Sequence, residues 1–236
     1  MTNSFTVITY CHEKHRPWMA HWIKQLNAQK FRGFDILFIM HNWSDNKNDE
    51  YIASQILSLD DDLRKNFRYL SFRSRPVIGE VINFAINNVN TTYVAHWDVD
   101  DPVHPDRLML QNEYIQQHPE TDFVAARMVG FYGEPTKEMQ QLNYYEPNEL
   151  DTDVVEHQSI YDCLLRRHRN CLGHTTMIYK AQTMRDIGGF SLSDVKIDGL
   201  SPDYETWKKA LRAGYKFYRL PQLCALWRLD SSSIRF

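Results

Sequence analysis

Four short apolar runs alternate with helix-patterned stretches over the first hundred residues, and that alternation constrains the fold more than any other feature. Residues 5–10, 35–40, 67–72 and 93–98 are rich in β-branched and aromatic side chains and read as strands. Between the first two, Arg16-Pro17 opens a helix with Met19, Ile23 and Leu26 on one face, widened by Trp18 and Trp22. Ile52 and Ile56 mark a short helix before the third run. Ile78, Val81, Ile82, Ala85, Ile86 and Val89 recur at helical spacing before the fourth. Strands alternating with helices predict an α/β fold, with a mostly parallel central sheet and right-handed crossovers.

The fourth run, Tyr93-Val94-Ala95-His96-Trp97-Asp98-Val99-Asp100-Asp101, stops in three acids. Pro102 and Pro105 forbid the strand from continuing. The acids thus fall at the carboxyl end of a strand, where ligands of open α/β sheets bind. Asp98 and Asp100 share a face in extended chain and converge in a turn. Clustered carboxylates repel unless protons or a cation neutralise them. A hard divalent ion, Mg²⁺ or Mn²⁺, itself holding a diphosphate, is one solution. An acidic cap before a helix started by Pro105 is the other, and spacing alone leaves both open.

Several classes are excluded. No G-x-G-x-x-G follows the first strand and no G-x-x-x-x-G-K-[ST] occurs, which argues against dinucleotide oxidoreductases and P-loop NTPases. A net charge of −3 gives no reason to expect nucleic acid as a partner. The four cysteines form no CxxC pair, so reduced thiols in a cytoplasmic protein are expected. No leader peptide and no apolar run long enough for a membrane span is expected.

Further along, a helix is predicted from Pro105 to Gln117 and a strand over 122–128. Residues 133–170 are polar and end in the basic run Arg166-Arg167-His168-Arg169, either a solvated helix face or an anion-facing patch that touches a membrane surface. A strand at 175–179, a turn at Gly188-Gly189-Phe190, a helix over 203–213 and strands at 216–220 and 223–229 complete the pattern. No linker-like tract breaks it. One domain is expected over 1–236.

Four segments carry a resemblance. Trp97-Asp98-Val99-Asp100-Asp101-Pro102-Val103-His104-Pro105-Asp106-Arg107-Leu108 resembles the D-x-D-D…h-P-[DE]-[RK]-L segment of family-2, GT-A-fold glycosyltransferases. Gly188-Gly189-Phe190 resembles that family's Gly-Gly-Phe turn. Ser201-Pro202-Asp203-Tyr204-Glu205-Thr206-Trp207, followed by Leu211-Arg212-Ala213-Gly214-Tyr215, resembles its E-D-x-[DE]-L-W…R-A-G-[YW] helix. Trp227-Arg228-Leu229-Asp230-Ser231-Ser232-Ser233-Ile234 resembles the closing [YW]-R-x-H-x-x-S-[IL] segment.

The resemblance implies a GT-A fold, a nucleotide-sugar donor with a UDP-sugar favoured, a divalent metal, and inverting transfer to a hydroxyl of a glycan or lipid-linked acceptor. It also implies a nucleotide-sugar-binding half at 1–101 and an acceptor-side half at 102–236. It assigns Asp98 to the ribose, Asp100 to the metal and Asp101 to a capping or outer position. Asp203 becomes the base, although alone it reads as an ordinary acid of a helix N-terminus. Glu205 is its backup on the acceptor side, where His174 is also placed. Thr9 and Tyr10 end the first strand against the nucleotide, and Arg228 would hold the diphosphate. Four departures stand out. Pro202 replaces the usual Glu before the base. Asp230 replaces the closing His and would ligate the metal in its stead. His41-Asn42-Trp43-Ser44 replaces the usual base-reading loop, so Asn42 or Asp45 would read the base, with Arg73 or Arg75 reaching in place of an Arg that is Ile82 here. A non-catalytic nucleotide-sugar- or glycan-binding relative is the rival reading. A nucleotidyltransferase is disfavoured because no glycine-rich phosphate loop is present.

Overall fold

The computed structural model describes residues 5–44, 48–73, 77–142, 154–192 and 201–229. Its strands are β1 Phe5–His12, β2 Phe34–His41, β3 Phe67–Phe72, β4 Tyr93–His96, β5 Phe123–Phe131, β6 Ile178–Lys180 and β7 Phe217–Arg228. They form one seven-stranded sheet in the order β3-β2-β1-β4-β6-β5-β7. Among the described strands only β6 runs antiparallel to its neighbours, β4 and β5. The remaining pairings are parallel. The helices are α1 Met19–Ala28, α2 Asn48–Ile56, α3 Asp61–Arg64, α4 Ile78–Asn87, α5 Arg107–Gln117, α6 His157–Tyr161, α7 Ala181–Asp186 and α8 Pro202–Arg212.

The period-two pattern of the strands feeds two cores, one on each face of the sheet. Along β2, Phe34, Ile36, Phe38 and Met40 join the cluster under α1 and α5, with Trp22, Leu26, Trp97 and Leu108. Leu37 and Ile39 point the other way, to Val81, Ile82, Ala85 and Ile86 of α4 and Tyr204 and Trp207 of α8. Each such aliphatic side chain contributes about 1.5–3 kcal/mol by leaving water.

Five boundaries differ from the sequence reading, each for a local reason. The first helix starts at Met19 because Glu13–Trp18, with Pro17 inside it, is a 3₁₀ segment. β4 ends at His96, two residues early, because the Asp98 N–H leaves the ladder for the Thr175 hydroxyl at 2.9 Å. α5 starts at Arg107 and not at Pro105, after a turn in which Arg107 N–H donates to the His104 carbonyl at 3.0 Å. His174–Thr176 is a 3₁₀ turn, so β6 begins only at Ile178. The two strands expected at 216–229 are one, β7, whose register against β5 shifts around Arg127. Pro221 sits within that irregular stretch, where a missing N–H costs the ladder least.

The Gly188-Gly189-Phe190 turn forms as expected, with both glycines at positive φ, 76° and 73°. Gly189 has a second reason to lack a side chain: a Cβ there would lie 2.3 Å from Asn83 Oδ1. Asn83 of α4 accepts from the Phe190 N–H at 2.8 Å and donates to the Phe190 carbonyl at 3.0 Å. The turn is thereby clamped to α4 and holds Phe190 in the core.

Candidate active site

The chain leaves β4 and turns sharply, and Thr9 and Thr175 shape that turn. The buried Thr9 hydroxyl donates to the Trp97 carbonyl at 2.7 Å. Thr9 therefore braces the loop that presents the acids. The Asp101 N–H donates back to the Asp98 carbonyl at 3.2 Å. Trp97 Nε1 donates to the Asp101 carbonyl at 3.3 Å, closing the loop on itself.

The three acids have different surroundings. His96 Nε2 lies 3.2 Å from Asp98 Oδ1, and the Tyr10 hydroxyl bonds the same carboxylate. Burial pushes the Asp98 carboxyl up, but the hydrogen bonds from His96 and Tyr10 help to hold it down at about 2. Asp100 is pushed above the usual carboxylate range by burial first and by the charge of Asp98 second. Asp101 is pushed well above it by burial, then by Asp98 and Asp100. Asp101 caps no helix; its Oδ1 accepts the Arg228 N–H at 3.0 Å and ties the loop to β7.

Two cations stand behind this loop. Arg107 is wholly buried, donating to the His96 carbonyl at 2.7 Å and to Gln111 at 2.9 Å. Arg228 lies with its guanidinium 4.1 Å from the Trp18 ring and 4.7 Å from the Phe131 ring. It donates to the carbonyls of Asp100 at 3.3 Å and Gly133 at 2.9 Å. Arg228, expected to hold the diphosphate, thus packs under the acid loop and bonds its backbone.

The acids suit a hard divalent ion. Asp100 carries an oxygen donor whose ionised form burial and Asp98 penalise, and a cation would relieve that penalty. His96, Asp98 and His174 also bring ligand atoms within 4.8 Å of one another. Their geometry does not suit one ion, however. The two imidazoles stack face to face, with centroids 3.6 Å apart and planes at 27°. Metal bonds to imidazole lie in the ring plane, so stacked rings do not converge on one centre.

At the ends of β1 and β2 the sequence named Tyr10 and Asn42. Tyr10 joins the acid loop through Asp98, and its ring lies 5.7 Å from that of His96. Asn42 takes the left-handed conformation, φ 56°, and its amide reaches His41 Nε2 at 3.2 Å. His41 stands edge-on to His12 at 5.6 Å. Burial, and then His12, lower the His41 pKa to about 4, so the ring is neutral near pH 7. Reading 41–44 as a polar loop missed this pair, although two histidines ending adjacent strands were visible in the sequence.

In the segment expected to face the acceptor, Ser201 is the N-cap residue of α8 and Pro202 its first residue, which puts Asp203 in the first turn. Asn170 Nδ2 donates to Asp203 Oδ2 at 3.3 Å. The helix terminus was expected to keep Asp203 ionised. Instead burial wins and raises its pKa, against the opposing bonds from Ser201, the Tyr204 amide and Asn170. Glu205 is paired with Lys208 Nζ at 3.0 Å. His174, expected at the acceptor, lies on His96 beside the acid loop, and its other neighbours are Phe190 at 5.3 Å and Trp207 at 6.2 Å. Through those rings α8 and the acid loop share one wall. Successive strand residues face opposite ways. Arg228 is covered, whereas Trp227 points away from it and is 50% exposed, as is Tyr132 just past β5 at 71%. Arg75, Asp230 and Asp45 lie outside the described residues. In the basic run, Arg166 pairs with Asp162 at 3.1 Å on a one-turn π-helix. Among the described residues no helix is long and apolar enough to cross a membrane.

Comparison with known proteins supplies the context. Residues 6–183 match the family described as "Glycosyl transferase family 2". A curated Haemophilus influenzae protein, described as an uncharacterized glycosyltransferase, is 22% identical over 162 residues, 66% of this chain and 52% of the relative. The chain thus spans about half the length of the curated relative it matches. Among solved structures, S. aureus TarS 1-349 in complex with UDP-GlcNAc superposes with a TM-score of 0.64 at 16% identity, covering 99% of this chain and 62% of that one. A mannosyltransferase, PcManGT from Pyrobaculum calidifontis, in complex with GDP-Man and Mn²⁺, gives 0.71 at 14% identity over 98% of this chain and 58% of that one. At such identities these two show the shared GT-A fold.

Proposed function

The chain belongs to glycosyl transferase family 2, and from that premise we propose that it transfers a sugar from a nucleoside-diphosphate sugar to a hydroxyl of a glycan or lipid-linked acceptor, with inversion. The observation that carries the reading is the arrangement of acids. Asp98 is held ionised and Asp100 is left to be neutralised at one strand end, while Asp203 stands across a wall of shared rings with its pKa raised.

In this reading Asp98 accepts a hydrogen bond from the ribose, and the strand-end group Tyr10, His41 and Asn42 faces the nucleoside. Asp100, with Asp230, holds a Mn²⁺ or Mg²⁺ ion. Bound there, the ion supplies charge stabilisation to the departing diphosphate. Asp203 takes the proton of the acceptor hydroxyl as that oxygen attacks, and a carboxylate pKa raised toward neutrality suits a base. The open face of Trp227 offers an aromatic surface on which a sugar ring can stack. The bound ligands of the two solved relatives support a nucleotide-sugar donor, of uridine or guanosine type. We place the enzyme in the cytoplasm as one domain, with peripheral membrane contact through the Arg166–Arg169 run.

A thermal-shift screen of UDP- and GDP-sugars, with and without Mn²⁺, tests the donor half, because a ligand of the native state raises its melting temperature. Stabilisation by a metal–nucleotide-sugar pair is expected, and a flat screen would overturn the reading. The rival, a non-catalytic binding relative, draws on Pro202 in place of an acid. It would bind the donor yet neither hydrolyse nor transfer the sugar.

A further inference from the structure

We propose that His96 is a positioning residue for the donor nucleotide: its imidazole, clamped by the stacked ring of His174, holds the Asp98 carboxylate in one orientation and leaves its exposed side to accept a hydroxyl. The proposal rests on the donor reading above and gives a task to two side chains that the reading leaves idle.

The geometry builds outward from Asp98. His96 is fully buried, and its Nε2 faces Asp98 Oδ1 at 3.2 Å, while the Asp98 side chain keeps 22% of its surface exposed. A ring nitrogen facing a carboxylate carries the proton, so Nε2–H donates. The Tyr10 hydroxyl takes a second position on the same carboxylate. What remains open is its exposed side. Behind His96, the His174 ring lies at 3.6 Å and fixes the imidazole plane. His174 is itself pressed by Phe190 at 5.3 Å and Trp207 at 6.2 Å. Phe190 is the residue that Asn83 holds by both its backbone groups. Rigid contacts from α4 and α8 therefore end on one carboxylate.

The stack carries a cost that points the same way. His96 Nδ1 and His174 Nε2 are buried with no hydrogen-bond partner among the described residues. Apolar rings would fill the space without that penalty. The bond to Asp98 is the return for keeping imidazoles here. The ionisable groups facing the stack are Asp98 and Tyr10; Phe190 and Trp207 bring no charge. Burial and the neighbouring His96 keep His174 neutral, lowering it to about 3.

The test uses UDP and GDP with Mn²⁺ as probes, read by calorimetry on the wild type, Asp98→Asn, His96→Phe and His96→Gln. Asp98→Asn should weaken nucleotide binding. His96→Phe keeps a ring in the stack but loses the donor, and should weaken binding about ten- to a hundredfold. In turnover it should raise the donor KM while sparing kcat. His96→Gln, which restores an N–H, should recover most of the loss. Wild-type binding by His96→Phe beside a weak Asp98→Asn overturns the positioning role alone. Full binding by Asp98→Asn, or no binding of either nucleotide by the wild type, overturns the donor reading beneath it. The unmodified protein gives an independent check: nitrogen-detected NMR should find the His96 proton on Nε2 near neutral pH, and a proton on Nδ1 instead rejects the proposal.

Discussion

The two halves of the site hold their acids by opposite means. At the acid loop Asp98 is half-buried yet stays ionised, because a histidine and a tyrosine bond it. On α8 Asp203, the proposed base, also accepts hydrogen bonds, from Asn170 and the helix start, but burial outweighs them. Burial alone thus fixes neither the charge nor the role of a carboxylate. A fixed acceptor needs bonds that beat desolvation, and a base needs desolvation to beat its bonds.

The strongest test of that contrast is Asp203→Asn, which should lower kcat by about 10²–10⁴-fold, the usual share of a general base, with nucleotide affinity unchanged. Near-normal turnover of the purified variant would end the base assignment. For the wild type, kcat should rise with pH along a limb set by Asp203, at a pH above the ordinary carboxylate range, since only the ionised form accepts a proton.

Next in size is Gly189→Ala. At φ 73°, and with Asn83 Oδ1 2.3 Å from the added Cβ, it should lose stability, measured by urea unfolding. A cost of about 1–3 kcal/mol is expected. Loosening Phe190 in this way should also weaken nucleotide binding if rigidity reaches Asp98 through the rings; unchanged affinity would separate fold from site.

A smaller change of opposite sign is expected from Asp100→Asn without metal. A carboxyl whose folded pKa is raised stabilises the native state fully below its unfolded pKa, and that contribution is lost as pH rises through the folded pKa. Above that folded pKa the wild type bears an unneutralised Asp100, and there the amide should melt higher by calorimetry while no longer gaining from Mn²⁺. For Asp98 the sign reverses. Its depressed pKa stabilises the fold above the unfolded value and is lost as pH falls toward 2, so Asp98→Asn should melt lower. Equal shifts in the two variants would erase the contrast within the acid loop.

The smallest effect belongs to Arg166→Gln, which removes an exposed pair with Asp162. Stability should move by no more than about 0.5 kcal/mol. Any loss of vesicle binding would then report the surface itself, and unchanged binding would remove the membrane contact.

Much of this frame was legible because its signals are periodic and local. The presence of β1, β2, β3 and β4 and the helix through Val81 and Ile86 follow from side-chain spacing, as does the placing of Asp98 and Asp100 at the end of a strand. What escaped depends on contacts far apart in the chain. The antiparallel insertion of β6 is set by pairing with β4 and β5. The early end of β4 is set by Thr175, 77 residues away. Nothing near His174 in sequence shows that it will meet His96. Nothing near Arg228 shows that Trp18 and Phe131 will come to it from other segments.

The bond from the Arg228 amide to Asp101 spans 127 positions. A division of labour at residue 101 hides what this means during synthesis. The acids emerge from the ribosome early, but the loop is not tied to β7 until that strand follows. At about 5–20 residues per second the wait is roughly 6–25 s. Through that interval Asp101 lacks the Arg228 N–H that anchors it, and the loop is held by Thr9 and by its own turn. If the acids bind the donor as proposed, a chain cut short before β7 should bind nucleotide less tightly, and β7 is the strand that completes the anchoring.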